Sequence, residues 1–451
     1  MPGSGGAVRA FHFARAMADY GDLTLVCLGG PSGTDEVNPE IHAKAKRVIE
    51  AKQLEPERKA RNRSRIKSWL RTARTIAFPW TDDWNDFGEY CLQHCPVQKN
   101  ASIRKRALGA VLRNEYRLAA RLVNLPPVSL QLYRSRWRQL LPTLASLVAD
   151  EQFDIIFFEN SIYHPLVNDL ALLSPDSLLV CNAANIEYKL QERMAAHTRG
   201  SWNKTWEESQ VKFVRSLERN AFRNCDLVFT CSEQDKLLAE ELAPNTTHHV
   251  VGNGVDLNYF QPRASQSASS KTILFTGSFR YPPNQDGART FIENVFPLVT
   301  KSVPDCRLVL AGFDAGLLAN ELNTSDPRIS FISSPEDIRP CFDDVAVAVV
   351  PLRIGGGTRL KILEAMSMRV PIVSTRIGAE GIPATDGKHL LLADSPDEFA
   401  NAVTKLLDSH SQRESMAYES SQWVAKNFSW KSLCQRAIEQ IDHLIASRKN
   451  A

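Results

Sequence analysis

The feature that most constrains this chain is a recurrence of short, wholly apolar segments separated by longer amphipathic ones. In the first half, Leu23–Leu28 (LTLVCL), Asp154–Glu159 (DIIFFE), Leu178–Asn182 (LLVCN) and Asp226–Ser232 (DLVFTCS) are continuous apolar runs, not alternations. A strand reads that way when both of its faces are covered, so these runs predict parallel strands between helical layers. His248–Val255 (HHVVGNGV) adds one more strand and a glycine turn. A second series follows at Thr272–Gly277, Arg307–Gly312, Arg328–Ile332, Val345–Pro351, Pro371–Thr375 and His389–Ala393. The polar, serine-rich stretch Pro262–Lys271 between the two series reads as a linker. Ser429–Ser447 starts at a serine cap and repeats apolar residues at helical spacing, which predicts a terminal helix.

The expectation is therefore an α/β chain of two Rossmann-like, doubly wound domains, over 1–258 and 270–427, with a final helix over 428–447. Its 451 residues suffice for a core in each. Ligands of such sheets bind beyond the carboxyl ends of the strands, so the cleft between the domains is where a site is expected. The start departs from this pattern. A glycine loop opens the chain, a helix follows over Val8–Ala18, and only then comes a strand. A loop of that kind normally follows a strand, so the first strand of the sheet reads as missing and the chain as starting late. A sheet that truly lacked a central member would leave two unpaired edges.

Composition excludes several classes. No apolar run is long enough to span a bilayer, and no charged segment leads into an apolar signal core. Nine scattered cysteines suit a reducing compartment. Cys91 and Cys95 flank His94, but two further ligands at suitable spacing are lacking, so no metal site is expected. The net charge of +3 conceals a basic region over about 41–140, with 22 Lys or Arg against 8 Asp or Glu. Within it, residues 58–74 hold eight basic side chains and no acidic one, interleaved with Ile66, Trp69 and Leu70. Such a helical insertion suits an anionic membrane surface or, equally, a solvated helix face. No nucleic-acid-binding module is recognisable.

The sharpest local signal is PLRIGGGTRLKILEAM, Pro351–Met366. An apolar strand runs into Gly355, Gly356 and Gly357, and a helix begins near Thr358, read as its N-cap. Bare backbone at a helix N-terminus presents amide donors and a partial positive charge, which suits an anion such as a diphosphate. A tight turn without a ligand would need fewer glycines. Glu364 shares the leucine face of the helix, and an unpaired buried carboxylate costs several kcal/mol, on the order given for isolated buried charges. Vicinal sugar hydroxyls, an ion pair with Arg359 or Lys361, or a place at the solvated edge would each relieve it.

Three segments, VVGNGVDLNYFQP, TILFTGSFRYPPNQDGARTFIENVFPLV and PLRIGGGTRLKILEAMSMRVPIVSTRIGAEGI, together resemble the family 4 glycosyltransferases of the GT-B fold. The resemblance implies a retaining, metal-independent transferase that uses a nucleotide diphosphate sugar and no cofactor. The second domain would bind the donor and the first the acceptor, with the last helix crossing back to the first domain. Residue by residue, Glu364 matches the glutamate that holds the donor ribose. Gly356, Gly357 and Thr358 match the turn that meets the diphosphate and sugar. Gly277, Ser278 and Arg280 match the loop whose basic residue neutralises the leaving phosphate. Gly5 and Gly6 match the loop facing the donor phosphate from the first domain.

The chain departs from the family at three places. Gly356 stands where many members carry a glutamate, Asn284 stands near the second place of a basic pair, and Ala184 stands where a related subgroup has histidine. Lys361 or Arg359 would then supply charge, so Arg280 and Lys361 are the candidate catalytic residues. The expected partners are a nucleotide-sugar donor and a glycan or lipid-linked acceptor, in cell-envelope or exopolysaccharide synthesis. The expected place is cytoplasmic, peripheral on the inner membrane face through residues 58–74, without nucleic acid. The alternative is a catalytically impaired nucleotide-sugar-binding paralogue within a polysaccharide assembly complex. A nicotinamide site at Gly3–Gly6 is disfavoured, because the strand ending at Leu28 continues into Gly29 and Gly30 with no acidic residue for a ribose.

Overall fold

The computed structural model describes residues 5–28, 39–51, 140–159, 164–197, 201–262, 269–322, 325–355 and 358–449. The basic segment 58–74, most of the insertion, the Cys91–His94–Cys95 group and the glycines at 356 and 357 lie outside the described residues.

The first domain contains α1 (Gly5–Tyr20), β1 (Thr24–Leu28), α2 (Pro39–Lys44), β2 (Arg47–Ala51), β3 (Ile155–Phe158), α3 (His164–Leu173) and β4 (Leu178–Asn182). It continues with α4 (Glu187–His197), α5 (Ser201–Arg223), β5 (Leu227–Thr230), α6 (Glu233–Leu242) and β6 (Thr247–Val250). All pairings among its described strands are parallel, but they form two sheets, β1-β2 and β3-β4-β5-β6, where a single sheet was expected. Every residue of β4 is buried, and the period of two explains why Leu178–Cys181 is apolar on both faces. Leu178 and Val180 pack with Phe13 of α1 on one face, while Leu179 and Cys181 pack with Leu166, Leu170 and Phe222 on the other. Leu227 and Phe229 of β5 join the first face, and Val228 joins the second.

The second domain is a six-stranded parallel sheet ordered β12-β11-β10-β7-β8-β9. Its strands are β7 (Thr272–Thr276), β8 (Arg307–Gly312), β9 (Ile329–Ser333), β10 (Val347–Val350), β11 (Ile372–Ser374) and β12 (Leu391–Leu392). The helices used below are α7 (Pro282–Thr290), α8 (Phe296–Ser302), α9 (Ala315–Leu322), α10 (Leu360–Ser367), α11 (Pro396–Asp408), α12 (His410–Asn427) and α13 (Trp430–Lys449). From β7 the chain winds outward through β8 and β9, then returns to β10 and winds the other way. The strand order thus reverses between β7 and β10, and the loops after those two strands diverge there to leave a crevice. The glycine turn follows β10, and Gly277 follows β7.

The fold is GT-B, with α13 packed on the first domain. Trp430, Leu433, Cys434, Ala437 and Ile441 of α13 share a core with Phe13, Val180 and Phe229. The His12 ring of α1 stacks on Trp430 at 4.7 Å between centroids, and Arg448 pairs with Asp226. The chain enters this helix beside the exit from the first domain, where the Val255 amide donates to the Phe428 carbonyl at 2.8 Å. Both crossings between domains therefore lie side by side. Among the described residues, no helix is long and apolar enough to cross a membrane.

One glycine of the second sheet holds two site loops together. A Cβ on Gly312, whose φ is +139°, would lie 2.1 Å from the Gly277 carbonyl oxygen. A Cβ is fixed to its own backbone and the oxygen is a backbone atom, so the clash is relieved only by moving a strand end. Gly312→Ala is expected to destabilise the protein by about 2–3 kcal/mol. A urea unfolding midpoint equal to that of the parent would contradict this.

Candidate active site

Three strand ends of the second domain and three elements of the first converge on the crevice. Lys361, in the first turn of α10, donates from Nζ to Asn284 Oδ1 at 2.9 Å, and Asn284 Nδ2 donates to the Ser278 carbonyl at 2.8 Å. Nζ also sits 4.6 Å from the centroid of the Phe275 ring, and a Cβ on Gly277 would come within 2.7 Å of it. Fold topology thus brings Gly277, Ser278 and Lys361 together, although more than eighty positions separate them in sequence. Burial, helped by the neighbouring Arg359 charge, pulls the Lys361 ammonium from 10.5 down to about 7, with Glu364 opposing.

Glu364 lies one helical turn beyond Lys361 on the same face. Burial pushes its carboxyl up from 4.5 to about 7, and Lys361 opposes that rise. Among the described residues no salt bridge joins the two, and no hydrogen-bond donor reaches the Glu364 carboxyl. Of the three arrangements open to this residue, the internal ion pair is not the one adopted. Two groups with opposite charge preferences, both titrating near neutrality in a cleft, are a recognisable sign of a functional site.

Helix α10 begins one residue later than expected. Its N-cap is Arg359, in extended conformation and without a side-chain cap bond. Thr358 does not cap because its hydroxyl oxygen instead accepts from Asn253 Nδ2 of the first domain at 2.5 Å. Arg359 is buried against Gly355, and desolvation lowers its pKa. Arg280 points elsewhere. It pairs with Asp314, lies 4.8 Å from the Phe313 ring centroid, and its side chain is 67% exposed. Gly5 and Gly6 open α1 as its first two helical residues.

The first domain contributes side chains that had drawn no assignment. Glu218 caps α4 by accepting from the Glu187 and Tyr188 amides, both at 2.8 Å, which sets the helix's direction. Two turns along, Arg193 donates to the Gly355 carbonyl at 2.5 Å and forms a two-pronged ion pair with Glu380. Gly381, with φ +78°, lets the following backbone approach closely, since a Cβ there would meet Thr358 at 2.7 Å and Ser232 at 3.2 Å. Behind these contacts lies a buried network. Arg9 of α1 donates to Asn182 Oδ1 at 2.9 and 2.7 Å, to the Gly252 carbonyl at 3.1 Å and to Asn253 Oδ1 at 3.1 Å. Asn182 passes the chain on to Glu159 at 3.0 Å, and burial pushes that carboxyl up to about 7, with Arg9 opposing.

A signal for Asn253 and Glu380 existed in the sequence, because each lies inside a segment already singled out (VVGNGV, GAEGI), and Arg193 follows nine residues after Ala184. For Arg9 there was none. An arginine among the apolar positions of a first helix reads as a surface residue until the opposite strand ends are known.

Comparison with known proteins agrees with this fold. Residues 270–409 match the family model described as glycosyl transferases group 1. An uncharacterised 44.6 kDa protein in the cps region of Klebsiella pneumoniae is 28% identical over 168 residues, covering 36% of this chain and 43% of that protein. The D-inositol 3-phosphate glycosyltransferase of Corynebacterium urealyticum is 28% identical over 217 residues, covering 42% of this chain and 50% of the relative. The chain thus matches about half the length of these curated relatives. Among solved structures, a sucrose-phosphate synthase from Thermosynechococcus elongatus superposes with a TM-score of 0.58 at 16% identity, covering 70% of this chain and 79% of the other.

Proposed function

We propose that this chain, whose residues 270–409 are a group 1 glycosyl transferase domain within a GT-B fold, is a retaining glycosyltransferase using a nucleotide diphosphate sugar. The acceptor is a glycan or lipid-linked glycan, in cell-envelope or exopolysaccharide synthesis. The single observation that carries this reading is the pair Lys361 and Glu364. Both side chains lie beside the strand-order reversal, on the helix that follows a glycine turn, and titrate near neutrality without pairing with each other.

In this reading the second domain binds the donor. The diphosphate lies on the turn 355–358 and against Gly277 and Ser278, with Lys361 protonated beside it, while Glu364 accepts from the ribose hydroxyls. The barrier falls chiefly because charge developing on the departing diphosphate meets fixed donors and the helix N-terminus. Among the described residues no carboxylate is posed as nucleophile, so in this reading the acceptor attacks from the face the diphosphate leaves, and a departing phosphate oxygen takes its proton. Arg193 ties Gly355 and Glu380 to the first domain, which keeps water from the donor. Gly5 and Gly6 face the phosphates from the start of α1, and Arg280 joins them once released from Asp314.

A second reading keeps donor binding but not turnover, and Ala184, Gly356 and the engagement of Arg280 by Asp314 favour it. A thermal-shift panel of nucleotide sugars, followed by donor hydrolysis with the stabilising one, separates the two. Stabilisation with release of free sugar supports the transferase. Stabilisation with no release over hours supports the binding paralogue, and no stabilisation by any donor removes both. The basic segment 58–74 places the enzyme at the inner membrane face in this proposal. Liposome flotation that shows no salt-sensitive binding to anionic lipid would remove that part.

A further inference from the structure

The hydrogen bonds behind the glycine turn have a direction, and chemistry dictates it. A guanidinium has only donors. Arg9, fully buried, aims Nη1 at the side chain of Asn253, so the atom it meets there must be the amide oxygen. The Cys231 thiol lies 3.7 Å from the same oxygen, but its single proton has a nearer acceptor in the Ala184 carbonyl at 3.2 Å. With its oxygen committed, Asn253 can present only its NH2 group to Thr358, 2.5 Å away. The Thr358 hydroxyl oxygen therefore accepts from Asn253, and its own proton must go to another atom. Among the described residues no acceptor takes it.

We propose that Arg9, acting through Asn253, sets Thr358 as a hydrogen-bond donor to an anionic diphosphate bound at the start of α10, so that a residue of the first domain fixes the polarity of a contact made by the second. This rests on the reading of Thr358, Lys361 and the start of α10 as the diphosphate cradle. Asn253 and Arg9 are positioning residues here, and Thr358 is the one that touches the ligand. The arrangement also links the domains, because the hydroxyl is oriented only while Asn253 is in contact. An open form of the protein would hold a Thr358 free to rotate and a weaker anion site.

The test is a double-mutant cycle on nucleoside diphosphate affinity, measured by titration calorimetry on the full chain with UDP, GDP and ADP, and with inorganic pyrophosphate as a base-free control. Asn253→Asp keeps the size and the bond from Arg9, but it presents an acceptor to Thr358 and so draws the hydroxyl proton backwards. Thr358→Val removes the proton and keeps the shape. Each single change is expected to weaken binding of the nucleoside diphosphate by about 10- to 100-fold, the range for one hydrogen bond to a charged group. The double variant is expected to be no weaker than Thr358→Val alone, and Thr358→Ser to bind as the parent does.

Full additivity of the two losses, or an Asn253→Asp protein with parental affinity, would overturn the relay while leaving the cradle intact. Failure of the parent protein to bind any of the four probes would overturn the cradle and the relay with it. Should Asn253→Asp fold poorly, the comparison of Thr358→Val with Thr358→Ser decides, since equal affinity of those two proteins removes any role for the hydroxyl.

Discussion

Replacing Lys361 by alanine is expected to lower kcat/KM for donor turnover by about 100- to 1,000-fold, the range for losing one group that stabilises transition-state charge. The same change at Arg280 is expected to cost about tenfold or less. The difference follows from environment. Lys361 is enclosed by Phe275, Asn284 and the Gly277 loop, whereas Arg280 lies in solvent and is held by Asp314. The pH profile gives an independent check. In the free protein Lys361 titrates at about 7, and a bound diphosphate favours its ammonium, so binding above pH 7 takes up a proton. Affinity for a nucleotide sugar therefore falls as pH rises beyond 7, by up to about tenfold per unit.

Glu364 produces the opposite limb. Its carboxyl, pushed up to about 7, is protonated at lower pH and becomes a poorer acceptor for ribose hydroxyls, so affinity also falls on the acid side. The resulting bell has apparent limbs that belong to the pair and not to either residue alone. Lys361→Arg keeps its charge and should flatten the alkaline limb, and Glu364→Gln should flatten the acid one. A profile level from pH 6 to 9 would show that neither group touches the donor.

Replacing Arg9 by alanine is expected to destabilise the protein by about 3–5 kcal/mol, the range for removing one partner from a buried charged network. It would strand two asparagine oxygens and the Gly252 carbonyl, and it would take away the cation that opposes the rise of Glu159. The loss depends on pH with a definite sign. Glu159 has its folded value raised from 4.5 to about 7, so its contribution is fully present below 4.5 and is lost as pH rises through 7. Without Arg9 that value climbs further, and an ionised Glu159 becomes harder to bury. The destabilisation should therefore be larger at pH 8 than at pH 5 in urea unfolding. Equal losses at both would mean that Glu159 is not the group coupled to Arg9.

Much of the scaffold was legible because burial on both faces forces a composition. The run Leu178–Cys181 is apolar throughout, and its side chains divide alternately between two helical layers. The weakest strand signals lay at the sheet edges. The strand expected at His389–Ala393 shrinks to Leu391–Leu392 at the margin of the sheet, where only one neighbour rewards pairing. The helix cap at Thr358 was misread because local preference for a hydroxyl at that position competes with a distant amide, and the distant amide takes it. Arg280 stood out by its place after a strand, but an acidic neighbour 34 positions away holds it, and spacing carries no trace of that.

By itself the sequence determined the fold class, the alternation of strands and helices, and the chemical types gathered at one turn, since hydrophobic period and glycine content are local properties of the chain. Tertiary structure alone decided the state of those types. Lys361 is an ordinary lysine until the loop after β7 folds over it and removes its water, and Glu364 remains unpaired only because helix geometry and burial withhold a partner. The direction of the Thr358 hydroxyl depends on an arginine nearly 350 positions earlier, buried under the opposite domain. Desolvation and hydrogen-bond polarity are set by what surrounds a group in space, within the second domain for Lys361 and across both domains for Thr358.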